Sequence, residues 1–290
     1  MPKYLVFMDL DGTLLASDHK HISPRTKETI ESLQQKGVIF YIATGRMYEL
    51  AKITQRLLNP DVRMITSNGA VFDGANGREV TKLGVEAVDL AYKVTVKYQL
   101  PMMLFTPEKA YFTRKIPDFI AQNAGNFDED FGYEEVESFS ELKPVMKDIT
   151  NGVVLSRGDM SELNTVRDEL IDSHLMEMSS SSPDNLEMIP LQTDKGTAVK
   201  RIQQEWGIDY DHTFVFGDGM NDVGMMKEAK YSVAMGNGLP EVKKTANFVT
   251  ETNAKDGLAK FLEDYFAKEN KNRFDFEWEN QTCFFGIKLI

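Results

Sequence analysis

Short, almost continuously apolar runs recur along this chain, and each ends on a cluster of small, acidic or basic residues. Tyr4-Leu-Val-Phe-Met8 precedes Asp9, Val38-Ile-Phe-Tyr-Ile-Ala43 precedes Thr44, Met64-Ile-Thr66 precedes Ser67, and Thr213-Phe-Val-Phe216 precedes Gly217. A strand with one wet face alternates apolar and polar residues, whereas an unbroken apolar run needs cover on both faces, as in a parallel sheet between layers of helix. The segments between the runs carry helix signals: Ser23 as N-cap, Pro24 in the first turn and Gly37 as the stop after Lys36, then a helical stretch through Leu50, Ile53 and Leu57. Further helices are expected near Thr193, at 220–229 and at about 254–268. The expected fold class is α/β, a Rossmann-like, mostly parallel sheet.

At 290 residues the chain exceeds the usual size of one compact domain, and the α/β rhythm breaks off once. Ala70–Asp73 and Glu79–Thr81 flank a Gly74-Ala-Asn-Gly77 turn and read as a hairpin. Beyond it come mixed strands (Met102–Thr106, Ala110–Thr113, Gly152–Ser156, Leu175–Ser179, Leu186–Ile189) and helices near 86–98, 117–124 and 160–173. The expectation is a discontinuous core, 1–83 with 189–290, carrying an inserted α+β cap domain over 84–188. The tail, 268–290, is atypical. Its stretch Arg273-Phe-Asp-Phe-Glu-Trp-Glu279 alternates aromatic and acidic residues and reads as an added strand, an intermolecular contact or, most simply, a terminal segment packing Phe274, Phe276 and Trp278 on the core.

In an open parallel sheet the residues just past the carboxyl ends of the strands share one crevice. That rule gathers Asp9 and Asp11; Thr44, Gly45 and Arg46; Ser67, Asn68 and Gly69; and Gly217, Asp218, Asn221 and Asp222, with Lys195 opening a helix nearby in sequence. Carboxylates at 9, 11, 218 and 222 would repel one another strongly without a hard divalent cation, for which Mg²⁺ is the natural choice. Phosphoryl transfer needs an in-line nucleophile, a cation for the oxygens and a proton donor for the leaving group. Asp9 suits the first role, and Asp11 the third, followed by activation of water. The Thr44 hydroxyl, the Gly45 amide and the Lys195 ammonium suit the phosphoryl oxygens, while Gly12 relaxes a turn that exposes amides such as that of Leu10.

Composition narrows the partners. A net charge of −12, from 33 basic and 45 acidic residues, argues against nucleic acid, because no excess of Lys and Arg exists to neutralise a phosphate backbone. No apolar run approaches the roughly 18 residues of a membrane span. The first strand-like run begins at Tyr4 with no leader-like pattern before it, and a single Cys283 cannot form an internal disulfide; both lead us to expect a cytoplasmic protein. The expected partner is a small phosphorylated metabolite, and the oligomeric state is open.

Taken in order, the patterns hhhhDLDGT, hhhhhATGR, DKG and GDGMND (h, apolar) resemble the haloacid dehalogenase superfamily of phosphotransferases, and in detail its Cof-type sugar-phosphatase branch with an α+β (type IIB) cap, over residues 1 to about 266. The resemblance implies that Asp9 is the nucleophile and a Mg²⁺ ligand, that Asp11 is the acid/base and binds Mg²⁺ through its carbonyl, that Asp218 is a ligand and that Asp222 supports the metal from nearby. It implies phosphate binding by Thr44, Gly45, Lys195, Asn221 and the Leu10 amide, with Asn68, Gly69 and Arg46 near the substrate entrance. The implied activity is Mg²⁺-dependent hydrolysis of small phosphomonoesters, sugar phosphates first, through an aspartyl phosphate. A phosphomutase of the same fold, a non-enzymatic phospho-acceptor and a metabolite sensor remain alternatives.

Single residues have plainer explanations. An Asp after a strand is commonly a turn former, and Arg46 reads equally as a substrate contact or a surface charge. Gly217-x-Gly219 lacks the third glycine of a dinucleotide loop, where Asp222 stands, and no P-loop sequence occurs. His19 and His21 lack a third metal ligand. Met102-Met103, Met225-Met226, Phe112 and Phe119 read as core filler.

Overall fold

Both faces of the apolar runs are covered, and that is why they read as unbroken. The computed structural model describes residues 4–18, 20–113, 133–156, 160–180 and 184–268. The chain opens with β1 (Tyr4–Asp9), α1 (Pro24–Gln34), β2 (Val38–Ala43), α2 (Tyr48–Gln55), β3 (Arg63–Thr66), β4 (Val71–Gly74) and β5 (Gly77–Val80). The inserted region holds α3 (Val85–Lys97), β6 (Met102–Phe105), β7 (Ala110–Phe112), β8 (Tyr133–Glu135), α4 (Phe139–Leu142), β9 (Asn151–Leu155), α5 (Met160–Ile171), β10 (Glu177–Ser179) and β11 (Asn185–Ile189). The α/β pattern returns with α6 (Lys195–Trp206), β12 (Thr213–Gly217), α7 (Val223–Met226), β13 (Tyr231–Ala234), α8 (Pro240–Thr245), β14 (Phe248–Val249) and a last helix, α9, over 257–268.

The core sheet has the order β14-β13-β12-β1-β2-β3-β4-β5, parallel from β14 to β3 and antiparallel through the β4–β5 hairpin. The hairpin thus extends this sheet at its edge. Gly74 and Gly77 pair with each other, which leaves Ala75-Asn76 as the two-residue turn. Period-2 alternation divides the strand side chains between two cores: Val6, Met8, Phe40, Ile42, Phe214 and Phe216 pack with Ile30 of α1 and Leu258 and Leu262 of α9. Leu5, Phe7, Tyr41, Ala43 and Val215 pack on the opposite face with Ala198, Val199 and Ile202 of α6. At about 25 cal/mol per Å² of apolar surface, these two layers supply the main drive to form the sheet.

The second sheet, β10-β11-β9-β6-β7-β8, is mostly antiparallel. One face, with Met102, Leu104, Val154, Leu186 and Met188, is buried under α3 and α5. The other face meets the core: Met103, Phe105, Ala110 and Phe112 cluster with Met47 and Leu50 at α2, and the Glu49 amide donates to the Pro107 carbonyl at 3.1 Å. Cross-strand register sets Phe112, Met103, Val153 and Glu187 in one row on this face.

Some elements differ from expectation. The expected helix at 220–229 is a 3₁₀ turn, Met220–Asp222, followed by the four residues of α7, because Asp222 turns back to bind preceding amides. Strands β8 and β14, of three and two residues, are too short to leave a periodic signal. The expected helix at 117–124, Phe119, His19 and the tail with Phe274, Phe276, Trp278 and Cys283 lie outside the described residues. Among the described residues no helix is long and apolar enough to cross a membrane.

Candidate active site

Register brings the polar clusters together. Asp9 is level with Ala43 of β2, Ala43 with Ile65 of β3, and Met8 with Phe216 of β12, so Asp9, Thr44, Ser67 and Asp218 emerge at the same sheet end. After Asp9 the chain makes one kinked turn, Leu10–Leu14, in which Gly12 adopts φ 86°. Two constraints fix that glycine: the left-handed backbone, and Asp218, whose carboxylate oxygen would lie 2.3 Å from an added Cβ.

The carboxylates of Asp9, Asp218 and Asp222 approach within 4.8 Å of one another. Beneath them Lys195 Nζ donates to Asp9 Oδ1 at 2.6 Å and to Asp222 Oδ1 at 2.7 Å. Lys195 is only 1% exposed and Asp222 fully buried. Asp222 also accepts through Oδ2 from the amides of Asp218 and Gly219, at 2.9 and 3.0 Å, so both its oxygens are engaged by protein donors. It anchors Lys195 and shapes the Asp218 loop. Thr13 Oγ1 donates to Asp218 Oδ1 at 3.0 Å.

Local sequence explains how Lys195 reaches this depth. Asp194 caps α6 by accepting from the Thr197 amide at 2.7 Å, with the Thr197 hydroxyl reciprocating toward the Asp194 backbone, which fixes the helix start under the strand ends. The Ser67–Gly69 loop presses on that start: a Cβ at Gly69, where φ is 98°, would lie 2.2 Å from the Asp194 carbonyl oxygen.

Electrostatics follow from burial. Asp9 is pushed well above the usual carboxylate range by desolvation first and by repulsion from Asp222 second, against the pull of Lys195. Burial and Asp222 likewise push Asp218 up to about 6, with the Thr13 hydrogen bond opposing. Burial alone would lower Lys195, yet the charges of Asp222 and Asp9 outweigh it and hold the ammonium above its ordinary value. Three carboxylates, two of them buried and that of Asp218 half-buried, against one ammonium leave the site short of positive charge. Oxygen donors within a few ångströms of one another, with that deficit, fit a hard divalent cation such as Mg²⁺.

The other expected residues divide into two groups. Thr44 is buried, and its Oγ1 accepts from the Arg46 amide at 3.2 Å. The loops after β2 and β3 are tied by the Ser67 amide to the Arg46 carbonyl and the Asn68 amide to the Thr44 carbonyl. Asn68 Oδ1 faces Asn221 Nδ2 at 3.5 Å, and the Asn68 side-chain amide packs so closely on Gly45 that a Cβ there would lie 3.2 Å from it. Asp11, by contrast, turns its carboxylate away from the acidic cluster to Arg46, which grips both oxygens at 3.0 and 2.6 Å. That two-pronged pair joins two residues that sequence assigned separately.

Glu187 has no place in the motifs, yet it reaches the site. This buried carboxylate of β11 accepts from Asn68 Nδ2 across the boundary between the two sheets. Its signal was present: a lone acid within Leu186-Glu-Met-Ile189, just upstream of the Lys195 motif. Ser67 also stands out, because it and Asn68 have φ of 52° and 51°, and its Oγ is buried with no hydrogen-bond partner among the described residues.

Comparison with known proteins adds to this geometry. The model of a family described as haloacid dehalogenase-like hydrolase matches residues 6–262. The 5-amino-6-(5-phospho-D-ribitylamino)uracil phosphatase YcsE of Bacillus subtilis is 28% identical over 260 residues, covering 89% of this chain and 94% of that protein. A second phosphatase of the same designation and organism, YitU, is 29% identical over 277 residues, covering 91% and 98%. The crystal structure of a haloacid dehalogenase-like hydrolase from Bacteroides thetaiotaomicron superposes with a TM-score of 0.78 at 27% identity, covering 90% of this chain and 99% of the other.

Proposed function

The chain belongs to the haloacid dehalogenase-like hydrolase family, and on that footing we propose that it is a Mg²⁺-dependent phosphatase that hydrolyses small sugar or polyol phosphates through an aspartyl phosphate on Asp9. The observation that carries this reading is the convergence of Asp9, Asp218 and Asp222 at the carboxyl end of the sheet, with Asp9 and Asp222 held by the buried Lys195 ammonium.

Asp9 Oδ attacks phosphorus while the bond to the leaving oxygen breaks, and Asp11 delivers the proton that the leaving alkoxide needs. Water then attacks the phosphoryl group, Asp11 takes its proton, and the bond from phosphorus to Asp9 breaks to release inorganic phosphate. Lys195, the Thr44 hydroxyl and the amides of Leu10 and Gly45 stabilise the equatorial oxygens as charge builds on them. A bound Mg²⁺, held by Asp9, the Asp11 carbonyl and Asp218 with support from Asp222, would neutralise those oxygens and keep Asp9 ionised. Arg46 must release Asp11 before proton transfer, and an entering phosphate, which offers the same two-oxygen edge as a carboxylate, competes for the guanidinium.

We assign 84–188 as the cap and the row Phe112, Met103, Val153 and Glu187 as the surface that meets the leaving group. An apolar row ending in one carboxylate suits a carbon skeleton with hydroxyls to donate. The relatives' phosphoribityl substrate has such a skeleton.

The test is phosphate release from a generic aryl phosphate and from a panel of sugar and polyol phosphates. Wild-type protein should release inorganic phosphate with Mg²⁺ and lose activity in EDTA, and Asp9→Asn should abolish turnover. Near-normal hydrolysis by Asp9→Asn would refute the mechanism. Return of phosphate to the sugar in place of free phosphate would assign a mutase.

A further inference from the structure

Glu187 is the charged member of the row Phe112, Met103, Val153 and Glu187, and it is only 6% exposed. Its neighbours Leu186 and Met188 pack into the core on the far face of the second sheet, so the period-2 alternation of β11 turns Glu187 toward the loop after β3. There its Oε2 accepts from Asn68 Nδ2. A buried carboxylate without a donor is costly, whereas one that meets an amide N–H forms a bond about twice as strong as an uncharged pair. The bond spans two sheets joined by the chain at 81–84 and 190–194, and it holds only while they lie against each other.

The bond also selects one of the two orientations of the Asn68 carboxamide. A carboxylate only accepts, so Asn68 turns Nδ2 to Glu187, which leaves Oδ1 to face Asn221 Nδ2 at 3.5 Å. Rotated by half a turn, the amide would set oxygen against carboxylate and nitrogen against nitrogen. The rest of Asn68 is pinned: its backbone is left-handed at φ 51°, its backbone N–H donates to the Thr44 carbonyl at 3.2 Å, and its side chain lies 3.2 Å from where a Cβ on Gly45 would stand. Asn221 stands between Asp218 and Asp222, in the loop that carries the acidic cluster, with its Oδ1 beside Gly219. Its Nδ2 has two hydrogens, and one given to Asn68 leaves the second for another acceptor. A contact of 3.5 Å is long, and such contacts tighten when a ligand completes the site.

We propose that Glu187 is a positioning residue: through Asn68 it aims the Asn221 carboxamide at the phosphoryl group, so that the phosphate site is complete only with the second sheet closed on the core. The inference rests on the phosphatase reading, under which Asn221 and the Gly45 amide bind phosphate. Closure and phosphate binding then support each other, since a coupling between two equilibria acts equally in both directions. An ester whose leaving group holds the second sheet closed thereby strengthens the grip on its own phosphoryl group.

Inorganic phosphate is the probe, because it has no leaving group to meet Glu187. Coulomb's law alone predicts tighter phosphate binding when a nearby carboxylate is removed, and the positioning role predicts the reverse. In calorimetry with Mg²⁺ present, Glu187→Met should weaken phosphate binding at least about fivefold, the worth of one hydrogen bond, and should shift the Asn221 side-chain NH₂ signals in NMR spectra. Glu187→Gln, which can still accept from Asn68 through Oε1, should bind phosphate within about twofold of wild type. Equal or tighter phosphate binding by Glu187→Met, with the Asn221 signals unmoved, overturns the inference. Should Glu187→Met fail to fold, wild-type protein decides: saturating phosphate should slow exchange of the Asn68 side-chain hydrogens at least about threefold, and an unchanged rate overturns the inference. Wild-type protein that binds phosphate yet hydrolyses no phosphate ester refutes the phosphatase reading alone, and the phosphate affinities of the variants still decide the role of Glu187.

Discussion

Replacing Lys195 by Met removes one charge from the centre of the site while retaining most of the side-chain volume, so the energetic change is electrostatic. The ammonium is 1% exposed and bonded at 2.6 and 2.7 Å to two buried carboxylates. At an effective dielectric constant near 20, each contact is worth about 6 kcal/mol of gross attraction, against which the ammonium's own desolvation costs several kcal/mol. Removing one partner of such a buried cluster leaves uncompensated charge, with a net cost of about 3–5 kcal/mol. That is a large fraction of the roughly 5–15 kcal/mol that holds a typical domain folded. The cost has a ceiling, because Asp9, already raised by burial and by Asp222, can take up a proton. An acid whose folded pKa exceeds its unfolded value destabilises the protein above the folded pKa, and the penalty fades as pH falls through that value. The Lys195→Met deficit, measured by urea denaturation in EDTA, should therefore be largest near pH 8 and shrink toward pH 5.5. Asp222→Asn in the Lys195→Met background should recover about 1–2 kcal/mol by removing the orphaned anion. A deficit below about 1 kcal/mol at pH 8, with no pH dependence, would refute the charge-compensation argument.

Wild-type protein freed of metal should gain stability as pH falls from 8 to 5, since Asp218, raised to about 6, takes up its proton in the folded state at a higher pH than in the unfolded chain. Asp218 is only half-buried, so solvent screening reduces the effect to roughly 1–2 kcal/mol in urea unfolding, and it should be smaller when Mg²⁺ is present. Arg46→Met should raise KM for aryl phosphate by about tenfold or more, through loss of a charged hydrogen bond to phosphate; an unchanged KM would make Arg46 a partner of Asp11 alone. Gly12→Ala combines a left-handed backbone with a 2.3 Å approach to Asp218, and should cost at least about 2 kcal/mol and most of the activity. Glu187→Ala strips the Asn68 side-chain amide of its acceptor and should lower stability by about 1–3 kcal/mol in thermal or urea unfolding.

The strand-end motifs were legible because each is local: an apolar run that must be buried on both faces, followed at once by the residues that emerge from it. The helix start at Lys195 was legible for the same reason, since Asp194 and Thr197 cap it within one turn. The Asp11–Arg46 pair and the bond from Glu187 to Asn68 join residues 35 and 119 positions apart, and no periodicity encodes such a separation. The loop that shortens the 220–229 helix was illegible because Asp222 spends its carboxylate on backbone amides, where helical propensity alone predicts continuation.

By itself, then, the sequence determined a mostly parallel α/β sheet, and a set of carboxylates, a threonine and a lysine destined for one sheet end. Those outcomes depend on hydrophobic periodicity and on chain direction, both of which are written residue by residue. Tertiary structure alone decided which charges meet: Lys195 between Asp9 and Asp222, Arg46 on Asp11, and Glu187 reaching Asn68 from the other sheet. Coulomb energy and desolvation depend on distance and burial, and these exist only once the layers have packed.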